Sequence, residues 1–176
     1  MYIEKIASPA DVKKLDMGQL VELAGEMRQC LIKRGSIHGG HFGPNLGMVE
    51  ATIALHYVFN SPEDKLVFDV AHQSYPHKML TGRAFAYTDP ERYDEVSGYS
   101  EPTESEHDHF VIGHTSTSVS LASGLAKGRD IVGGSENVVA IIGDGSLSGG
   151  EAFEGLNVGA ELDSNFIVVV NDNQMS

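Results

Sequence analysis

Cysteine occurs once in these 176 residues, at Cys30, so the chain can form no internal disulfide and reducing surroundings suit it. Cys30 lies within a helical pattern, which marks it as a packed thiol rather than a nucleophile. Basic residues are also scarce. Twelve Lys and Arg stand against 25 Asp and Glu, a formal net charge of −13. That balance argues against a nucleic-acid partner or an anionic membrane surface. No apolar run approaches the ~20 residues that a membrane span needs. The opening Met1-Tyr2-Ile3-Glu4-Lys5-Ile6 has neither the basic start nor the apolar stretch of a signal peptide, so a cytoplasmic location is the default expectation. Internal repeats, low-complexity tracts and long linkers are missing as well.

What is present is an ordinary globular balance, 41% hydrophobic and 21% charged, in a length that suits one α/β domain with a real core. Leu20, Leu23, Met27 and Leu31 recur at helical spacing between about Asp16 and Arg34. After a glycine-rich break at 39–44, Asn45 reads as the N-cap of a second helix through Leu46, Val49, Ile53 and Tyr57. Lys65 to Ala71 reads as a short strand, and 82–108 as a long irregular loop of the kind that usually serves a function. A third helix is expected from near Ser116 to Gly133-Gly134. Val138 to Ile142 and Phe166 to Val170 read as buried strands, with a helix through Ala152, Phe153, Leu156 and Val158 between them. The expected class is α/β, doubly wound, with a mostly parallel sheet and helices on both faces.

Two triplets carry the chemistry. Gly143-Asp144-Gly145 and Asn171-Asp172-Asn173 are separated by 25 residues, and each follows one of the buried strands. A strand–helix–strand crossover makes those strands parallel and brings both triplets to the carboxyl edge, where open α/β sheets bind ligands. Asp144 can offer a carboxylate and Asn173 an amide oxygen to one hard cation, and Mg²⁺ suits such donors together with phosphate oxygens and water. Gly145 and Ser146 to Gly150, small but for Leu147, lead into a helix start, which favours an anion. Taken singly, each triplet is more simply a tight turn. Together at two strand ends they point to a metal-bridged diphosphate. An acidic chain needs such a device, because bulk charge cannot hold a polyphosphate.

The two triplets resemble the thiamine-diphosphate motif of the transketolase superfamily. Gly40-His41-Phe42-Gly43, Leu46-Gly47-Met48-Val49-Glu50, Ala54 to Asn60, Asp69 to Lys78 and Gly113 to Ser118 are similar to stretches of the 1-deoxy-D-xylulose-5-phosphate synthase family. Transketolases proper share the metal motif but not the run from Asp69 to Lys78. The resemblance implies thiamine diphosphate and Mg²⁺ as cofactors, with Asp144, Asn173 and the carbonyl of Met175 on the metal. It sets His72, Gly113, His114, Thr115, Gly145, Ser146 and Asn173 against the cofactor. It makes His41 and His72 catalytic, moving protons or steadying oxyanions. The implied substrates are pyruvate and D-glyceraldehyde 3-phosphate, and the implied assembly is a homodimer. The product would feed isoprenoid, thiamine and pyridoxal precursors.

The chain departs from that pattern at Thr115, where serine is usual, at Ala71, where glycine is usual, and around Val96 to Pro102. It also matches only the amino-terminal part of the diphosphate-binding domain. The pyrimidine-binding and carboxyl-terminal domains have no counterpart in residues 1–176, so the expectation is that the chain alone is inactive. Two other readings stand beside this one: a transketolase-like ketol transferase, and a non-catalytic half-site that needs a partner chain. Among the remaining histidines, His38 lacks a zinc ligand set, His56 reads as core, and His77 as a bystander near the site. His107 and His109 read as a solvated loop.

Overall fold

The computed structural model describes residues 1–172, and two compact units divide them. The first comprises residues 1–60 and 72–98, and the second 61–71 together with the chain from 99 onward.

The first unit is helical. Its main helix, α1 (Met17–His38), starts at a capping box in which the Asp16 carboxylate accepts from the Gln19 N–H and the Gln19 side chain accepts from the Asp16 N–H, both at 2.9 Å. One stripe of α1 turns inward, and it carries Leu23, Ala24, Met27, Cys30, Leu31 and Arg34. Helix α2 (Val49–Val58) buries Val49, Thr52, Ile53, Leu55 and His56. Ile3, Val12, Met79, Leu80 and Tyr87 join these two stripes in one core.

Two sequence expectations change in this unit. Asn45 is not the N-cap of the helix that follows it; it lies inside a short helix, Gly43–Gly47, and is wholly buried. The segment from 82 is not all loop, because Phe85–Thr88 forms one α-turn and Pro90–Arg92 a 3₁₀ turn. Neither is long enough to show a hydrophobic period, and both are held from a distance. The Arg34 guanidinium, 5% exposed, donates through Nε to Ala86 O at 3.2 Å and through Nη2 to Tyr93 O at 3.1 Å. The rings of Tyr75, Tyr87 and Tyr93 surround it at 5.1–5.5 Å.

The second unit holds a parallel sheet of β1 (Lys65–Phe68), β2 (Val138–Gly143) and β3 (Phe166–Asn171), in that order. Lys65 pairs with Val138, and Val138 with Phe166. Val138 to Ile142 are all buried, as the β-branched run predicts for a central strand. β3 is half-exposed. Helix α3 (Ser118–Val132) ends at Gly133, and α4 (Gly150–Glu161) makes the crossover from β2 to β3. The expected α/β class with a parallel, helix-flanked sheet is what forms. At the edge where strands enter, Asp64 accepts from the Asn137 N–H at 2.7 Å, and Arg129 donates to Glu136 O and Asn165 O at 2.7 and 2.8 Å.

Strand β1 is shorter than the sequence suggests. It stops at Phe68, and Val70 and Ala71 take positive φ values of 57° and 70°. Those values favour glycine, so Ala71 carries a conformational cost of roughly 1 kcal/mol. Among the described residues no helix is long and apolar enough to cross a membrane.

Candidate functional site

In the second unit the carboxyl edge of the sheet gathers three loops. The first follows β1. There Asp69, 1% exposed, accepts from the backbone N–H groups of Ser116 and Ser118, both at 2.9 Å. Ser118 is the first residue of α3 and Ser116 lies two residues ahead of it, so the helix's cap comes from a strand end 49 residues away. The local Thr-Ser cluster does not supply it, and the Thr117 hydroxyl instead donates to His114 O.

The second loop precedes α3. Gly113, His114 and Thr115 are exposed, and Ser116 turns back inward with φ 71°. The Ser116 hydroxyl then donates to Ser146 O at 2.5 Å, in the third loop. Gly149 permits that approach, because a Cβ on it would lie 2.0 Å from Ser116 Oγ. One chain of polar contacts, Asp69–Ser116–Ser146, therefore ties the ends of β1 and β2 to the start of α3.

The third loop carries the first triplet. Gly143 pairs with Asn171, and the Asp144 N–H donates to Asn171 O at 3.2 Å. Gly143-Asp144 and Asn171-Asp172 thus lie side by side at the end of the sheet. Gly145–Ser148 forms a 3₁₀ turn before α4 begins at Gly150, so Gly145 and Ser146 stand one turn ahead of the helix start. Cβ positions built on Gly113, Gly145 and Gly150 meet nothing within 4 Å, which leaves these loops open to a ligand. A recess of about 180 Å³ adjoins Gly113, His114, Thr117 and Glu151. Asn173 and Met175 lie outside the described residues.

The donor set suits a metal shared with a ligand rather than caged by protein. Asp144 is a half-buried carboxylate, and among the described residues no three His, Cys, Asp or Glu side chains cluster to hold an ion. A cation at this edge would complete its shell with ligand oxygens and water, the habit of Mg²⁺.

In the first unit the structure brings His41 and His72 together. Their rings meet edge to face with centroids 5.2 Å apart and planes at 76°. His41 is exposed on the loop after α1, and Gly40 precedes it with φ 114°. A Cβ on Gly40 would lie 2.9 Å from the Tyr75 hydroxyl, so position and backbone both require glycine. Asn45 joins the two histidines: its Nδ2 donates to His41 O at 2.6 Å and to His72 O at 2.8 Å.

A family model described as 1-deoxy-D-xylulose-5-phosphate synthase matches residues 3–176. The chain belongs to the 1-deoxy-D-xylulose-5-phosphate synthase family. Synthases bearing that name from Dictyoglomus turgidum, Pelotomaculum thermopropionicum and Neisseria gonorrhoeae are 49, 52 and 50% identical over 99–100% of this chain. The chain spans 27–28% of the length of those synthases.

Other histidines occupy different positions from those the sequence suggests. His77 is buried, with Nδ1 2.9 Å from His56 Nε2 and the two rings stacked, so it is core rather than a bystander at the site. His107 is 9% exposed and lies 2.9 Å from the Ser61 hydroxyl, so it is not part of a solvated loop. The clamping roles of Asp69, Asn45 and Arg34 were not foreseen in the sequence. Apart from His41, their partners lie 27–59 residues away, and no local pattern announces such contacts.

Proposed function

We propose that this chain supplies the diphosphate- and metal-binding part of a thiamine-diphosphate-dependent 1-deoxy-D-xylulose-5-phosphate synthase, a transferase of isoprenoid precursor synthesis. The substrates in this reading are pyruvate and D-glyceraldehyde 3-phosphate, and the working form is a homodimer in the cytoplasm. The observation that carries the reading is the pairing of Gly143 with Asn171 at the ends of adjacent parallel strands, with the Asp144 N–H on Asn171 O.

Asp144 holds Mg²⁺ together with Asn173 and the Met175 carbonyl. Gly145 and Ser146 line the diphosphate at the turn before α4, where backbone N–H groups and small side chains admit anionic oxygens. Gly113, His114 and Thr115 border the rest of the cofactor. Thiamine diphosphate, when bound, supplies the carbanion chemistry that decarboxylates an α-keto acid and passes the two-carbon unit to an aldehyde. His41 and His72 hold or move protons at their ring nitrogens and steady developing negative charge on substrate oxygens.

Calorimetric titration of the chain with thiamine diphosphate, with and without Mg²⁺, tests this. Binding that needs Mg²⁺ and disappears in Asp144→Ala is expected. Binding indifferent to both would remove the clamp from this edge, and no binding by the folded chain would deny the chain a cofactor-binding role of its own.

A further inference from the structure

We propose that Asn45 is the positioning residue that fixes His41 and His72 relative to one another. The proposal rests on the reading of those two histidines as the working side chains. Its foundation is a single amide that uses three bonding positions in a fully buried place: Nδ2 donates to His41 O and His72 O, and Oδ1 accepts from the Tyr75 N–H at 2.9 Å.

The two carbonyls belong to segments that no regular ladder supports. His41 follows Gly39 and Gly40, at φ 84° and 114°, and His72 follows Val70 and Ala71, at 57° and 70°. Neither histidine lies in a helix or strand. Backbone in such regions persists only where its surroundings over-determine it. Asn45 does for these segments what a ladder does for a strand. Its third bond takes the N–H of Tyr75, the first residue of the short helix Tyr75–Lys78, whose N-cap residue Ser74 makes no side-chain cap bond.

Side-chain chemistry narrows the choice to asparagine. The site needs two donors and one acceptor on a short side chain, which a primary amide provides. A carboxylate would set oxygen against two carbonyl oxygens, and a hydroxyl offers one donor. An ordinary capping role is excluded by the partners, since none of the three bonds serves the helix Gly43–Gly47 that carries Asn45. The consequence is a set distance between imidazoles. The exposed His41 ring receives its placement through its backbone, and the backbone is what Asn45 holds.

The test is NMR on the isotopically labelled chain. In the wild type, ring protons of His41 and His72 give a mutual Overhauser effect, as their edge-to-face contact requires. Asn45→Asp and Asn45→Ala are expected to erase it while amide resonances of α1 and β2 hold their positions. An intact effect in a folded variant overturns the proposal. So does unfolding of both variants, which would make Asn45 a structural residue and nothing more. The readout needs no cofactor, so a chain that fails to bind thiamine diphosphate would still report on Asn45.

Discussion

The two units of the chain solve the same problem, holding the loops that carry the candidate site residues still, by different means. In the second unit the loops grow from the ends of hydrogen-bonded parallel strands, and Asp69, Ser116 and Ser146 only fasten what the sheet has already aligned. In the first unit no sheet exists. Irregular segments bearing His41, His72 and residues 85–93 are held by two buried side chains, Asn45 and Arg34, bonding to backbone carbonyls. A ladder spreads its support over many bonds, so single losses are mild. A buried amide or guanidinium concentrates support, and its removal leaves unpaired carbonyls away from water.

That contrast can be broken most severely in its hydrophobic layers. Ile141→Ala, at 1% exposure in the central strand, should cost about 4 kcal/mol by equilibrium urea unfolding. Loss below about 1 kcal/mol would show that β2 is not the core of its unit. Arg34→Met, which keeps bulk and removes the donors, should cost about 3 kcal/mol, and Arg34→Lys should restore little, because one ammonium cannot reach both Ala86 O and Tyr93 O in the same fork. Full rescue by lysine would reduce the tyrosine cage to a charge effect.

Asp69→Asn should cost about 2 kcal/mol, since a single amide oxygen cannot serve the N–H groups of both Ser116 and Ser118. The measurement that sharpens the comparison is hydrogen exchange, which should quicken at 113–118 and leave β2 protected.

The smallest effects are those of pH on the first unit. Lys14, then the Ala7 N–H, hold the Asp11 carboxyl below its ordinary value, so its contribution is present above about pH 4 and fades as pH falls through its lowered value. Burial, chiefly, pushes the Cys30 thiol up. Its neutral form is favoured when folded, so that contribution is full below the ordinary thiol range and fades as pH rises beyond it. Asp11→Asn should flatten the acid limb of the stability profile and Cys30→Ala the alkaline limb.

The second unit was the more legible in the amino-acid sequence. A β-branched run such as Val138 to Ile142 has few alternatives to a buried strand, and a glycine-bounded aspartate after it marks a turn at the strand's end. The first unit was legible only in α1 and α2, where apolar residues recur at helical spacing. Asn45 was mistaken for a cap because caps and buried clamps use the same residue type, and only its partners tell them apart. The turns at 85–92 were missed because Arg34 bonds to the carbonyls of Ala86, within them, and Tyr93, just after them, and backbone carbonyls carry no sequence signature.

By itself the sequence determined the α/β class, the parallel strands, the edge at which the two triplets emerge and the family to which the chain belongs. These follow from periodicity, handedness and local motifs, all of which act over a few neighbouring residues. Only the tertiary structure decided that Asp69 caps α3, that Ser116 and Gly149 lock two turns together, and that one amide spans His41 and His72. Each of those depends on groups far apart in the chain meeting within hydrogen-bond reach, and it is the packing of the folded core that brings them there.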